Sequence, residues 1–186
     1  MLRTIPQTRD QSQLLRLAGI ALFTLVTILS ARVTIEIGLV PFTLQPLAVL
    51  LSGMVLGGRD GFLSQLAYVG LIAVGLPVDA RGLGAAAFAG PTAGYLVGFV
   101  FAAGVAGYLV ERGAKRVWQR WLAGVVGIAI IYAGGLAWLL IFRQLDLGTA
   151  WAAGVAPFIA PDLVKALIAA SLTEGGRSLL LRRSLS

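Results

Sequence analysis

LGTAWAAGVAPFIAPDLVKALIAASLT, residues 147–173, is apolar apart from two opposite charges one helical turn apart, Asp162 and Lys165, and two prolines, Pro157 and Pro161, precede them. Ionisable side chains at membrane depth are costly and rare, and they face a bundle interior or a water-filled cavity. The stretch therefore points to a polar pocket inside a membrane protein. Pro is favoured at the first position of a helix, so a last helix is expected to start at Pro161 and to run to about residue 181.

The rest of the chain agrees with a bilayer as solvent. Of the 186 residues, 58% are hydrophobic and 12% charged, against roughly 25% charged in soluble domains; mean hydropathy is +0.89. Charge-free runs cover residues 17–31, 37–58, 61–78, 82–110 and 121–142, and a sixth covers 147–161. A spanning helix needs about 20 mainly apolar residues, with 17 workable. One all-α membrane domain is thus expected, with six spans near residues 14–31, 42–57, 61–76, 93–110, 121–142 and 161–181. The first apolar run follows a polar segment and lacks a cleavage site, so it reads as a retained helix rather than a signal peptide.

Net charge is +7. In a soluble protein that would raise nucleic acid as a partner, but here the basic residues lie between spans, and none is expected. Arg3, Arg9, Arg16, Arg59, Arg112, Lys115, Arg116, Arg120, Arg177, Arg182 and Arg183 fall on one side of the alternating connections. Arg32, Arg81 and Arg143 fall on the other. By the positive-inside rule both termini are cytoplasmic, which an even number of spans satisfies. Cysteine and histidine are both absent, which removes disulfides, thiolate chemistry, His-ligated metals and a His general base.

Between the spans, residues 33–37 alternate like a short strand before Pro41. Gly57 and Gly58 lead into a tight turn at Arg59 and Asp60. Residues 79–92, DARGLGAAAFAGPT, read as a loop over a cavity, and 111–120 as the longest inner connection. Residues 143–161 form a second long outer connection, part helical.

Three constellations carry chemistry. Asp162 and Lys165 share a helix face, with the carboxylate near the positive end of the helix dipole. Together they accept and donate, so they match a cyclic urea or amide, whose N–H groups stand beside a C=O. The alternative is a mutually neutralised pair that only fixes helix packing. PFTLQP, residues 41–46, places Thr43 and Gln45 between two prolines, and a broken helix start of this kind is tolerated at membrane depth only when buried in protein or lining a cavity. GPTAGY, residues 90–95, opens a helix whose unpaired N–H groups suit an anion such as a carboxylate tail; the alternative is a plain helix-start turn. Tyr68 and Tyr95 are candidate hydroxyl donors, and Arg81, oriented by Asp79, a candidate partner for an anionic group. Glu36 and Arg32 read as solvated, and the four tryptophans as interfacial anchors or packing.

Taken together, VPFTLQPLAVLLSGMVLG (residues 40–57), GLPV (75–78), AGPTAGYLVGF (89–99) and PFIAPDLVKA (157–166) resemble the BioY family, the biotin-specific substrate-binding (S) components of energy-coupling-factor transporters. The resemblance covers nearly the whole chain. It implies six membrane helices, an outward-facing vitamin pocket capped by outer loops, and residence in a bacterial plasma membrane. It also implies biotin as transported ligand with no cofactor or catalytic role, and a transmembrane coupling protein with a pair of ABC-type ATPases as partners. Asp162 and Lys165 match the family's polar ligand-binding pair, with Thr43, Gln45, Gly90, Pro91, Thr92 and Tyr95 as pocket positions. The small-residue docking pattern such components carry on the first helix is imperfect here, because Leu25 follows four residues after Ala21. Two other readings remain: an S component for a different small vitamin, or an intramembrane enzyme. The latter needs a nucleophile with a base, or clustered metal-binding carboxylates.

Overall fold

The protein is described by a computed structural model over residues 9–114 and 116–183, with 9–12 and 177–183 as backbone alone. Arg3 and Lys115 of the basic set lie outside the described residues. The chain is helical almost throughout. It runs α1 (Arg9–Arg32), β1 (Thr34–Ile35), β2 (Phe42–Thr43), α2 (Gln45–Leu56), α3 (Gly58–Ala73), a 3-10 segment (Gly84–Ala89), α4 (Ala93–Glu111), α5 (Val117–Ile141), α6 (Leu147–Gly154), a 3-10 turn (Ala156–Phe158) and α7 (Ile159–Arg183). Among the described residues, four segments are long and apolar enough to cross a membrane: Gln13–Arg32, Ala93–Glu111, Val117–Ile141 and Leu147–Gly176. α2 and α3, with 12 and 16 residues, are about 18 and 24 Å long at 1.5 Å per residue, less than the ~30 Å hydrocarbon core.

Several boundaries differ from the sequence expectation, each for a local reason. The strand expected over 33–37 shortens to two residues, which pair antiparallel with β2, Thr34 opposite Thr43 and Ile35 opposite Phe42. The expected loop over 79–92 coils into the 3-10 segment, anchored where Asp79 Oδ1 accepts the Gly84 N–H at 2.8 Å. α5 starts at Val117 rather than Trp121, because the Arg116 N–H donates to Gln119 Oε1 at 3.0 Å in a capping box. Arg120, read as a loop residue, is therefore inside a helix, 3% exposed, and ion-paired with Glu174 of α7. α7 starts at Ile159, two residues before Pro161, whose missing N–H falls in the first turn where no helical bond is lost.

α4 lies at the centre, against α2, α3 and α5. Lipid supplies no hydrophobic drive between helices, so close backbone approach has to hold them together. A Cβ on Gly94 would lie 2.2 Å from the Gly134 carbonyl oxygen, and one on Gly53 would lie 2.2 Å from that of Ala103. At these crossings only glycine fits. Hydrogen bonds from Gln65 of α3 join it to α1 and α2: its Nε2 donates to Thr27 Oγ1 at 3.0 Å and to Ser52 Oγ at 3.2 Å. Thr24 Oγ1 donates to the Ser64 carbonyl at 3.0 Å. Each such bond contributes about 0.6 kcal/mol in a membrane protein.

Candidate functional site

α7 enters the bundle with its first turn exposed to a cavity walled by the 40–46 connection, residues 79–80, α4 and α5. The placement follows from local sequence. The prolines of PFTLQP hold β2 and the start of α2 beside α7, and the Thr43 hydroxyl accepts the Gln45 N–H at 3.2 Å. Tyr95, on the first turn of α4, donates to the Gly154 carbonyl at 2.8 Å and so ties the end of α6 over the site.

Asp162 and Lys165 are 3% and 5% exposed. Lys165 Nζ donates to Asp162 Oδ1 at 2.7 Å and to the Thr43 carbonyl at 2.6 Å, and sits 3.9 Å from the centroid of the Phe42 ring. Tyr132 of α5 donates its hydroxyl to Asp162 Oδ2 at 2.7 Å. The desolvation cost of a buried ion pair is offset only when hydrogen bonds satisfy the remaining polar atoms, and here three elements converge to do so. A carboxylate offers about four lone-pair sites. Two are used, so Asp162 can still accept from a ligand.

The cavity has a volume of about 60 Å³, smaller than the several hundred Å³ usual for a small-molecule site. Its apolar wall includes Leu96, Phe99, Ile131 and Phe158; its polar wall includes Asp162, Lys165, Thr43, Gln45, Thr92 and Tyr95. Six of the ten sequence-predicted positions thus meet at one cavity. The other four lie around it. Tyr68 is fully buried one layer behind, accepting from Gln45 Nε2 at 2.7 Å and donating to the Val78 carbonyl at 3.3 Å. Gly90 and Pro91 precede Thr92 outside the cavity wall, and the Gly90 carbonyl accepts from Trp138 Nε1 at 2.9 Å.

Arg81 is at the rim, outside the cavity wall, and its guanidinium already has a protein partner. Its guanidinium pairs with Glu36 at 2.7 Å rather than with Asp79, which meets Arg81 only through the backbone N–H, at 3.1 Å. Glu36 and Arg32 are both exposed, as expected, and each also has a protein partner: Glu36 the Arg81 guanidinium, and Arg32 the Pro77 carbonyl, to which it donates. The Glu36–Arg81 pair joins the 33–41 connection to the 74–92 connection across the cavity mouth. The hydrogen bond from Arg81 holds the Glu36 carboxyl below the ordinary carboxylate range, against the opposing effect of partial burial.

Tyr132 and Asp79 also line the cavity. Tyr132 had a legible signal: it carries the one side-chain hydroxyl of α5, and a tyrosine hydroxyl buried in an apolar bundle needs a partner.

Fold and site together define an all-helical membrane protein with a buried acid–base pair at the wall of a small pocket, the design of a small-molecule-binding transport component. The model of the BioY family matches residues 6–182. A biotin transporter BioY of Thermotoga maritima is 44% identical over 154 residues, covering 82% of this chain and 89% of that protein. A probable biotin transporter BioY of Lysinibacillus sphaericus is 39% identical over 171 residues, covering 88% of this chain and 87% of that one. Among solved structures, the S-component for biotin from an ECF-type ABC transporter superposes with a TM-score of 0.84 at 26% identity, over 93% of this chain and 95% of that one. This chain belongs to the BioY family. The family is one of transporter components, which removes the intramembrane-enzyme reading.

Proposed function

We propose that this chain is the biotin-capturing S component of an energy-coupling-factor transporter, a multi-pass protein of a bacterial plasma membrane. In this reading it has six spans with both termini cytoplasmic, and α2 and α3 form the two short ones. A transmembrane coupling protein and a pair of ABC-type ATPases supply the energy. Biotin is the transported ligand and no cofactor is needed. The relatives' names and the distribution of basic residues support this.

The observation that carries the reading is the Asp162–Lys165 pair at the cavity wall, held by Tyr132 and Thr43 with acceptor capacity to spare. Biotin presents two N–H groups flanking one C=O on a planar ureido ring. The free lone pairs of Asp162 take an N–H, and Lys165 turns from the Thr43 carbonyl to the ureido oxygen. Phe99, Phe158, Leu96 and Ile131 take the thioether ring and the methylene chain. Thr92 and the start of α4 receive the carboxylate, where unpaired N–H groups and the helix dipole favour an anion. A bicyclic ring needs more room than about 60 Å³, so the 40–46 and 79–80 walls part on admission and the Glu36–Arg81 pair acts as their clasp.

Equilibrium titration of the purified full chain tests this. The expected result is saturation at one biotin per chain, undisturbed by excess thiamine or riboflavin. No saturation, or displacement by either vitamin, contradicts it.

A further inference from the structure

Behind the site lies a second hollow. A stripe of α5 from Val125 to Leu136, with Trp151 of α6, Val155 just past it, and Ile159 and Leu163 of α7, encloses an open cleft of about 410 Å³. Its lining carries no charged side chain, and its one hydroxyl, that of Tyr132, is turned away to Asp162. The floor is cut low by Ala129 and Ala133, one turn apart and both exposed.

Several features bear on what fills it. α5 and α7 belong to segments long and apolar enough to cross a membrane. The same two helices also expose Leu122, Val126, Val164 and Leu167, next in sequence or one turn away from cleft-lining residues. From Val125 to Leu136 it runs about 16 Å along α5 at 1.5 Å per residue, which matches one leaflet of a hydrocarbon core ~30 Å thick. Near its α6 end stands Trp151, 47% exposed, an amphipathic ring of the kind placed at headgroup level. Tyr132 alone lines both this cleft and the ligand cavity.

We propose that the α5–α7 cleft is a binding site for one acyl chain of a bilayer phospholipid, and that this chain backs the Tyr132 ring so that the hydroxyl stays on Asp162. The lipid thereby supports the ligand site from the membrane side. The second half of the statement rests on the biotin reading; the first does not.

The test uses the full chain purified in detergent, loaded with palmitoyl-oleoyl phosphatidylcholine, exchanged into lipid-free micelles and weighed by native mass spectrometry. Wild type and Val126→Phe, whose new ring lies outside the cleft, are expected to keep one phospholipid per chain. Ala133→Phe, which fills the cleft, keeps none; Ala129→Leu is the second filler should Ala133→Phe fail to fold. Retention by a filled variant, or none by wild type, overturns the site, as does displacement by an equal concentration of detergent tails. Biotin titration with and without the same lipid then reads the coupling. Wild type is expected to bind about tenfold more tightly with lipid, the equivalent of one hydrogen bond to a charged group, and Ala133→Phe to show no lipid dependence. Equal affinity of wild type with and without lipid overturns the coupling. If biotin fails to bind under any condition, the proposed function falls, while the lipid count still decides the cleft.

Discussion

α7 carries two ion pairs, one buried and one half-buried, and they differ in what surrounds them. Near one end Asp162 and Lys165 sit on the same helix, three residues apart, and face a cavity. Further along, Glu174 reaches across to Arg120 of α5, with side chains 34% and 4% exposed, and neither residue lines the ligand cavity or the cleft behind it. An interior charge is thus no guide to a ligand by itself. The cross-helix pair spends its geometry on joining α5 to α7, whereas the local pair keeps unused acceptors beside open space.

The comparison can be broken most severely at the local pair. Lys165→Met and Asp162→Asn each remove hydrogen bonds worth about 1.5–3 kcal/mol apiece, so biotin affinity is expected to fall at least tenfold with the helical circular-dichroism signal retained. Unchanged affinity in either variant would make the pair structural only. Exchanging the two charges, Asp162→Lys with Lys165→Asp, sharpens this further. Neutrality is kept, the acceptor and donor trade places, and binding is expected to be lost in a protein that still folds.

At the cross-helix pair the effect should reverse. Breaking a fully buried pair costs about 3–5 kcal/mol and an exposed one about 0–1 kcal/mol, so with Glu174 34% exposed Glu174→Gln falls between the two. A lower thermal midpoint with unaltered biotin affinity is expected, and a changed affinity would erase the distinction between the two pairs.

The smallest effect belongs to the Glu36–Arg81 clasp. Because the Glu36 carboxyl is held below its ordinary value, its contribution is present above about pH 4.3, the unperturbed glutamate value, and is lost as pH falls through the lowered one. The pair is exposed, so that contribution is about 0.2–1 kcal/mol. Glu36→Gln is expected to speed biotin association and dissociation a few-fold, by stopped flow, with little change in affinity. Identical rates would mean that the clasp does not hold the mouth.

The existence of the first four helices was legible from apolar runs, and Gly57 does separate α2 from α3, but α2 starts at Gln45 rather than 42 and α3 runs Gly58–Ala73 rather than 61–76, ending four residues before Pro77. The fifth was legible only in part: Arg116 and Arg120 were assigned by charge to a loop, while the capping contact with Gln119 and the ion pair with Glu174 carry the helix through them. Charge along a chain records proximity to water only when no partner waits on another helix. Six of the residues that line the cavity could be picked out because prolines, glycines and charges mark them locally. Tyr132 could not be placed from spacing, since its link to Asp162 joins residues 30 apart. The same holds for Glu36 and Arg81, 45 apart.

The central claim is that Asp162 accepts a ureido N–H, and one competition measurement addresses it directly. A biotin analogue methylated at the ureido nitrogen facing Asp162 is titrated against biotin on wild type and on Asp162→Asn. Wild type should prefer biotin at least tenfold, the value of a hydrogen bond to a charged group, and the variant should lose most of that preference. An equal preference in both proteins would contradict the claim, because the carboxylate would then play no part in reading the ring.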